Sequence, residues 1–261
     1  MPIINGLDIH LEVQGAGPPL LFIHGLGATS NAWHAQRVTL SKYFQVIVYD
    51  RSGCGLSQRS PAGYSVEAWA DEAAGLLDAL AIPKAVVFGH SLGSMIAQRF
   101  VGKYAERTRA LILAGGEAEL SPQGKQILTD RASTIEANGL SAAADGWLTG
   151  VLSAATREAN PALAGLLRAM FLANDAKTYA QQCRALRDGD VRGDHARIGC
   201  PTLLLVGDQD AVTPLSWQQA IAARIRNSRI RVMPYTGHFT MLEAPVVFNS
   251  AVLDFLATLE S

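Results

Sequence analysis

The sequence predicts an α/β fold: a mostly parallel, twisted sheet of about eight strands with helices on both faces and a helical cap insertion. Apolar runs of strand length alternate with helix-length stretches from the start to about Ala114. No strand-like run then appears over about 117–197, where helical stretches follow one another. Alternation resumes at Thr202-Leu203-Leu204-Leu205-Val206. The expected division is a core of residues 1–116 and 196–261 with a helical insertion over 117–195.

The elements follow in order. A hairpin is expected over about 3–13. The unbroken run Pro19-Leu20-Leu21-Phe22-Ile23 reads as a strand buried on both faces, and it breaks into His24-Gly25-Leu26-Gly27-Ala28-Thr29. A helix over about 31–41 leads to the strand Val46-Ile47-Val48-Tyr49 and a glycine-rich turn, Asp50-Arg51-Ser52-Gly53-Cys54-Gly55-Leu56-Ser57. Ala85-Val86-Val87-Phe88 is a strand that stops at Gly89-His90-Ser91-Leu92-Gly93, where a helical pattern begins. Arg109-Ala110-Leu111-Ile112-Leu113 is the next strand. Helices are expected over 122–137, 141–152, 161–172 and 176–187, punctuated by Asn138-Gly139, Asn160-Pro161 and Asp188-Gly189-Asp190. After the strand at 202–206 come a helix over 215–226, the strand Ile230-Arg231-Val232-Met233 and the loop Tyr235-Thr236-Gly237-His238-Phe239.

Gly-x-Ser-x-Gly at a strand-to-helix junction carries chemistry. A serine hydroxyl is a poor nucleophile, so a reactive serine must be held in the open, near a base and near donors for the developing oxyanion. A tight elbow does this, and small residues on either side let strand and helix pass closely. An acid and then a histidine follow Ser91 in the order that such an elbow uses, each on a loop after a strand. In a parallel sheet those loops converge on one edge. The predicted catalytic set is Ser91, Asp210 and His238. Asp208 and Glu117, also near strand ends, are alternative acids. The oxyanion donors are expected to be the backbone N–H groups of Leu92 and Leu26. His24 is read as bracing its loop, and His10, His34 and His195 as solvated or structural.

The segment from Gly25 to Asp50 also has the layout of a dinucleotide-binding unit, but Ser30 stands where that fingerprint wants Gly or Ala. With 261 residues, 49% apolar content and a net charge of −1, the chain can bury a full core, and it has no Lys/Arg run suited to a phosphate backbone. No nucleic acid partner is expected. The start lacks a signal-peptide pattern and no apolar stretch reaches the ~20 residues of a membrane span, so no membrane association and a cytoplasmic location are expected. The three cysteines, Cys54, Cys183 and Cys200, have neither metal-ligand nor Cys-x-x-Cys spacing. No metal or organic cofactor is expected, and a homo-oligomer is left open.

On His24-Gly25-Leu26-Gly27, the turn from Asp50 to Ser57, Gly89-His90-Ser91-Leu92-Gly93, Gly207-Asp208-Gln209-Asp210 and Gly237-His238, in register, the chain resembles the α/β-hydrolase family over essentially its whole length. The resemblance implies that Ser91 is nucleophile, His238 base and Asp210 its orienter. Ser91 stands where dehalogenases and epoxide hydrolases of the family carry an aspartate. The stretch from Tyr179 to Arg192 leading to Ile198-Gly199-Cys200-Pro201-Thr202 is similar to the end of the cap in 3-oxoadipate enol-lactonases, which implies a small-molecule ester or lactone substrate. Alternatives are a carbon-carbon bond hydrolase of aromatic degradation, a cofactor-free perhydrolase, and a non-catalytic receptor for a small ligand. Trp147, Met170, Phe171, Tyr179 and Phe239 are the expected substrate-binding residues. Were the substrate a carboxylate, Arg131, Arg168, Arg184 or Arg192 would have to reach it.

Overall fold

The computed structural model describes residues 1–259; the last two positions of the expected core stretch, Glu260 and Ser261, lie outside them. Seven strands form one sheet: β3 (Leu11–Gln14), β4 (Pro19–Ile23), β5 (Gln45–Tyr49), β6 (Ala85–His90), β7 (Thr108–Ala114), β8 (Thr202–Gly207) and β9 (Ser228–Met233), in the spatial order β3-β5-β4-β6-β7-β8-β9. Only β3 runs antiparallel to its neighbour. The sheet is one strand short of the expected eight. The opening residues make a separate two-stranded hairpin, β1 (Ile3–Ile4) with β2 (Leu7–Asp8), because Asn5 and Gly6 both adopt positive φ (51° and 83°) and reverse the chain before it reaches the sheet.

Strand sequence follows strand position. β6 and β8, inside the sheet, are buried at every residue, and their runs are nearly all apolar. β9, at the edge, alternates Ile230, Val232 with Arg229, Arg231 and is half-exposed. Helices cover both faces: α1 (His34–Leu40), α2 (Val66–Ala79), α3 (Leu92–Lys103), α9 (Leu215–Ala222), the short α10 (Thr240–Glu243) and α11 (Pro245–Ala257). Ser65 caps α2 by accepting from the Ala68 N–H at 3.0 Å. Phe22 of β4 stacks on Phe88 of β6 with ring centroids 4.0 Å apart, and Trp33, just before α1, packs on Phe22 at 5.0 Å.

Between β7 and β8 lie five helices: α4 (Pro122–Asn138), α5 (Ser141–Val151), α6 (Ala154–Ala159), α7 (Pro161–Leu172) and α8 (Ala176–Asp188). α6 had no sequence signal. It is six residues long and buries none of them, so it lacks an apolar face; Ser153 caps it by accepting from Thr156 N–H. The region leaves and rejoins the sheet at a neck, where Glu119 bridges Asp190 and the Val191 N–H donates to the Ala118 carbonyl at 2.9 Å. Among the described residues no helix is long and apolar enough to cross a membrane.

Candidate active site

The site begins at the turn between β6 and α3. Ser91 has φ 53° and ψ −123°, a conformation costing about 1–3 kcal/mol that persists only where the surroundings impose it. Here they do. The Ser91 N–H donates to the Ala114 carbonyl of β7 at 3.0 Å, and the two flanking glycines permit close passage on both sides. A Cβ on Gly89 would collide with the Gly93 carbonyl, and one on Gly93 with the Ile23 carbonyl of β4. Leu92 is the first residue of α3, so its N–H has no acceptor inside the helix.

His238 and Asp210 meet behind this turn. Asp210 follows β8 and His238 follows β9; the His238 Nδ1 lies 2.9 Å from Asp210 Oδ2. The carboxylate also accepts from the Val212 N–H (2.9 Å), the Thr213 N–H (2.8 Å) and the Thr213 hydroxyl (2.8 Å). Burial works to raise the Asp210 pKa, but the neighbouring imidazole and these bonds outweigh it and hold the carboxyl below the usual carboxylate range. Burial likewise disfavours a charged His238, and the carboxyls of Asp210, Glu117 and Glu243 reverse it, raising His238 above its ordinary 6.5. Of the alternative acids, Asp208 is exposed and Glu117 makes no hydrogen bond to the ring.

The loop after β4 is anchored by a buried cation. Arg51, with no exposed surface, donates from Nε to the His24 carbonyl (3.2 Å) and from Nη2 to the Gly25 carbonyl (3.1 Å), while its guanidinium lies 4.5 Å from the Trp69 ring centre. His24 accepts the Arg51 N–H at Nε2 (3.1 Å), so its ring braces the loop. Asp50 accepts from Ser30 N–H (2.8 Å) and Leu56 N–H (2.9 Å), which occupies the carboxylate in holding turns. Leu26, on this loop, faces the same cavity as Ser91 and His238.

That cavity has a volume of about 300 Å³. Of the expected substrate-binding residues, Trp147 and Phe239 line it; Met170, Phe171 and Tyr179 do not. Phe171 stacks behind Trp147 (4.8 Å between centroids), and Tyr179 sits edge-on to Phe171 (5.1 Å), so these rings support the wall from the far side. Met170 is buried on the same helix, α7. The wall is instead built by Leu120, Ile127 and Leu128, by Trp217 of α9, and by Arg131. The other arginines considered for a carboxylate are engaged elsewhere: Arg168 with Asp145, Arg184 with Glu136, Arg192 with Glu119 and Asp190. Among the described residues Arg131 has no carboxylate within ion-pair distance; its charge lies near the Tyr179 phenol and the Cys183 thiol, which burial pushes up to about 12.

His90 was missed by sequence reasoning. It is the variable position of the Gly-x-Ser-x-Gly motif, so nothing in the pattern singled it out. Its ring lines the cavity, and its Nε2 donates to the His238 carbonyl at 3.0 Å.

A parallel sheet with a strained serine, a buried acid and a histidine at its carboxyl edge is the layout of the alpha/beta hydrolases. The family model for the alpha/beta hydrolase fold matches residues 18–245, and the chain belongs to this family. It is 30% identical to 3-oxoadipate enol-lactonase 2 of Acinetobacter baylyi over 92% of this chain and 88% of that protein. It is 31% identical to the 2-hydroxymuconate semialdehyde hydrolase of a Pseudomonas species over 98% and 92%. A thermophilic esterase structure from Thermogutta terrifontis superposes with a TM-score of 0.93 at 31% identity, covering 98% and 95% of the two chains.

Proposed function

We propose that the chain is a serine hydrolase that cleaves a carboxylic ester or lactone of a small organic molecule through an acyl-enzyme. The observation that carries this is the buried Asp210–His238 pair at 2.9 Å opening onto the cavity that also holds the backbone-strained Ser91. Ser91 attacks the carbonyl while His238 takes its proton; Asp210 fixes the ring with Nε2 free to accept and stabilises the imidazolium. The N–H groups of Leu26 and Leu92 hold the oxyanion, a contribution of roughly a hundredfold or more for each such donor. Water, activated by the same imidazole, then releases the acid. The helices over 117–195 act as the cap, and Arg131 is the cap cation placed to receive a carboxylate on the substrate. The similarity to an enol-lactonase and to an esterase supports the ester or lactone reading. The cytoplasm suits the three free cysteines.

A second reading, carbon-carbon bond hydrolysis, is favoured by the similarity to a semialdehyde hydrolase. The two separate on a panel of short esters, aryl esters, lactones and a vinylogous diketone, run with Ser91→Ala and with a fluorophosphonate label read by mass spectrometry. Stoichiometric labelling at Ser91, ester or lactone turnover, and a loss on the order of 10⁴ or more in Ser91→Ala are expected. A Ser91→Ala enzyme keeping a tenth of the rate rules out Ser91 as nucleophile.

A further inference from the structure

Among the described residues two glutamates are buried, and they differ in one respect. Glu72 of α2 is 4% exposed and accepts the Ser52 N–H at both oxygens (3.1 and 3.3 Å), as a buried carboxyl ordinarily does. Glu117, three residues beyond β7, is 2% exposed and lines the cavity with Ser91 and His238. Its main chain is pinned on both sides: the Glu117 N–H donates to Ser94 Oγ (3.1 Å), and Gln98 Nε2 donates to the Glu117 carbonyl (2.8 Å). The residue before it is held by Gln218, which accepts the Gly116 N–H (3.1 Å) and donates to the Gly116 carbonyl (2.7 Å). Yet among the described residues no group hydrogen-bonds the Glu117 carboxyl, and its Oε1 is buried without a partner. Leaving such a group unpaired is costly, so a purely structural residue here would be apolar.

We propose that Glu117 is a substrate-contacting, specificity-determining residue whose carboxyl pairs with a hydroxyl on the acyl portion of the substrate, so that the substrate class is a hydroxyacyl ester or lactone. The site is the one assigned above, and the inference rests on that hydrolase reading. Glu117 follows β7, the neighbour of the strand β6 that leads into Ser91, and shares the cavity with Ser91 and His238, so a hydroxyl near the reacting carbonyl is what it would meet. Burial pushes its carboxyl up to about 7, with the His238 charge working against this and Asp210 with it, so both protonation states are populated near neutrality. A hydroxyl suits both: it accepts from the neutral acid and donates to the carboxylate. A keto oxygen satisfies only the first, an ammonium only the second. Arg131 lines the same cavity, but the charges that act on the Glu117 carboxyl are those of His238 and Asp210.

The test compares kcat/KM for ethyl 3-hydroxybutanoate and ethyl butanoate in wild type, Glu117→Leu and Glu117→Gln. Wild type is expected to favour the hydroxy ester by about tenfold or more, Glu117→Leu to lose that preference, and Glu117→Gln, which keeps a donor and an acceptor, to retain it within about threefold. Equal losses on both esters in Glu117→Leu, or a wild-type ratio near unity, overturn the proposal. Inhibition of the wild-type enzyme needs no variant: 3-hydroxybutanoate should inhibit at least about tenfold more strongly than butanoate, and equal inhibition overturns it. Turnover that survives in Ser91→Ala, or no wild-type turnover of any ester or lactone of the panel, removes the hydrolase reading and this proposal with it, whereas a Ser91-dependent activity with no hydroxyl preference, or with neither ethyl ester turned over, removes this proposal alone.

Discussion

The imidazole of His90 donates from Nε2 to the main-chain carbonyl of His238 at 3.0 Å, so the residue beside the serine fixes the backbone of the loop that carries the histidine. Burial, with the His238 charge adding to it, pushes the His90 pKa down to about 3, which keeps the ring neutral. Replacing His90 by Leu keeps the apolar contact with Phe239 (4.6 Å between rings) but removes the tie. The expected result is a fall in kcat of about 10–100-fold with a smaller change in KM, measured with p-nitrophenyl acetate. An unchanged kcat would show that the tie does not position His238.

The pH profile follows from the groups facing His238. Asp210 and Glu117 bear on the ring from the loops after β8 and β7, Glu243 from α10, and His90 from the elbow. The carboxyls raise the pKa, and a base must be neutral, so activity declines as pH falls through a value above 6.5. Asp210→Asn removes the largest of the charges favouring the imidazolium. Its limb should move to lower pH and its kcat should drop by about 10³–10⁴, as read from kcat/KM between pH 5 and 9. A limb that stays in place would sever Asp210 from the titration.

Glu117 also couples stability to pH. Its carboxyl is raised from 4.5 to about 7 in the fold, so the folded chain holds a proton that the unfolded chain releases. The stabilising contribution is complete below 4.5 and is lost as pH rises through about 7. Wild type should therefore lose stability relative to Glu117→Gln between pH 5 and pH 8.5, by an amount on the order of 3 kcal/mol, or roughly 6–12 °C in melting temperature. Parallel melting curves for the two proteins across that range would falsify the coupling.

Gly93 tests the elbow. Its missing side chain is what lets α3 pass the Ile23 carbonyl, so Gly93→Ala should cost about 3 kcal/mol or more, or abolish folding. Gly165 in α7 has open space where a Cβ would go, and Gly165→Ala should be neutral or stabilising by up to about 1 kcal/mol. Thermal melts of the pair separate a steric requirement from general sensitivity to alanine.

What could be read in the sequence was governed by backbone regularity. Continuous apolar runs announced β4, β6, β7 and β8 because strands inside a parallel sheet are buried on both faces. β9 begins at Ser228, two residues before the expected start, because an edge strand admits Ser and Arg at exposed positions. The family motifs put Ser91, Asp210 and His238 on the loops where the fold carries them, but the lining of the cavity was not legible. Met170, Phe171 and Tyr179 have the same apolar character and helical spacing as Trp147; only the rotation of α7 and α8 against α5 decides which ring meets the cavity and which backs it. The same holds for Arg131 against Arg184, whose partner Glu136 comes from a different helix.

The walls of the cavity come from two sources, joined at the narrow neck of Ala118, Glu119, Asp190 and Val191. Loops after the strands supply Ser91 and His238; α4 and α5 supply Ile127, Leu128, Arg131 and Trp147. The helical block meets the sheet side through apolar packing, with Trp147 edge-on to Phe239 (5.9 Å between ring centres) and Tyr179 and Phe171 pressed against Gly27, and through polar clasps, among them the His238 N–H to the Val151 carbonyl, Asn174 to Gly27 and Gln182 to Gly53. A block spliced in at the neck and keeping those contacts would replace the wall at Ile127, Leu128, Arg131 and Trp147 while leaving Ser91, Asp210 and His238 on their own loops.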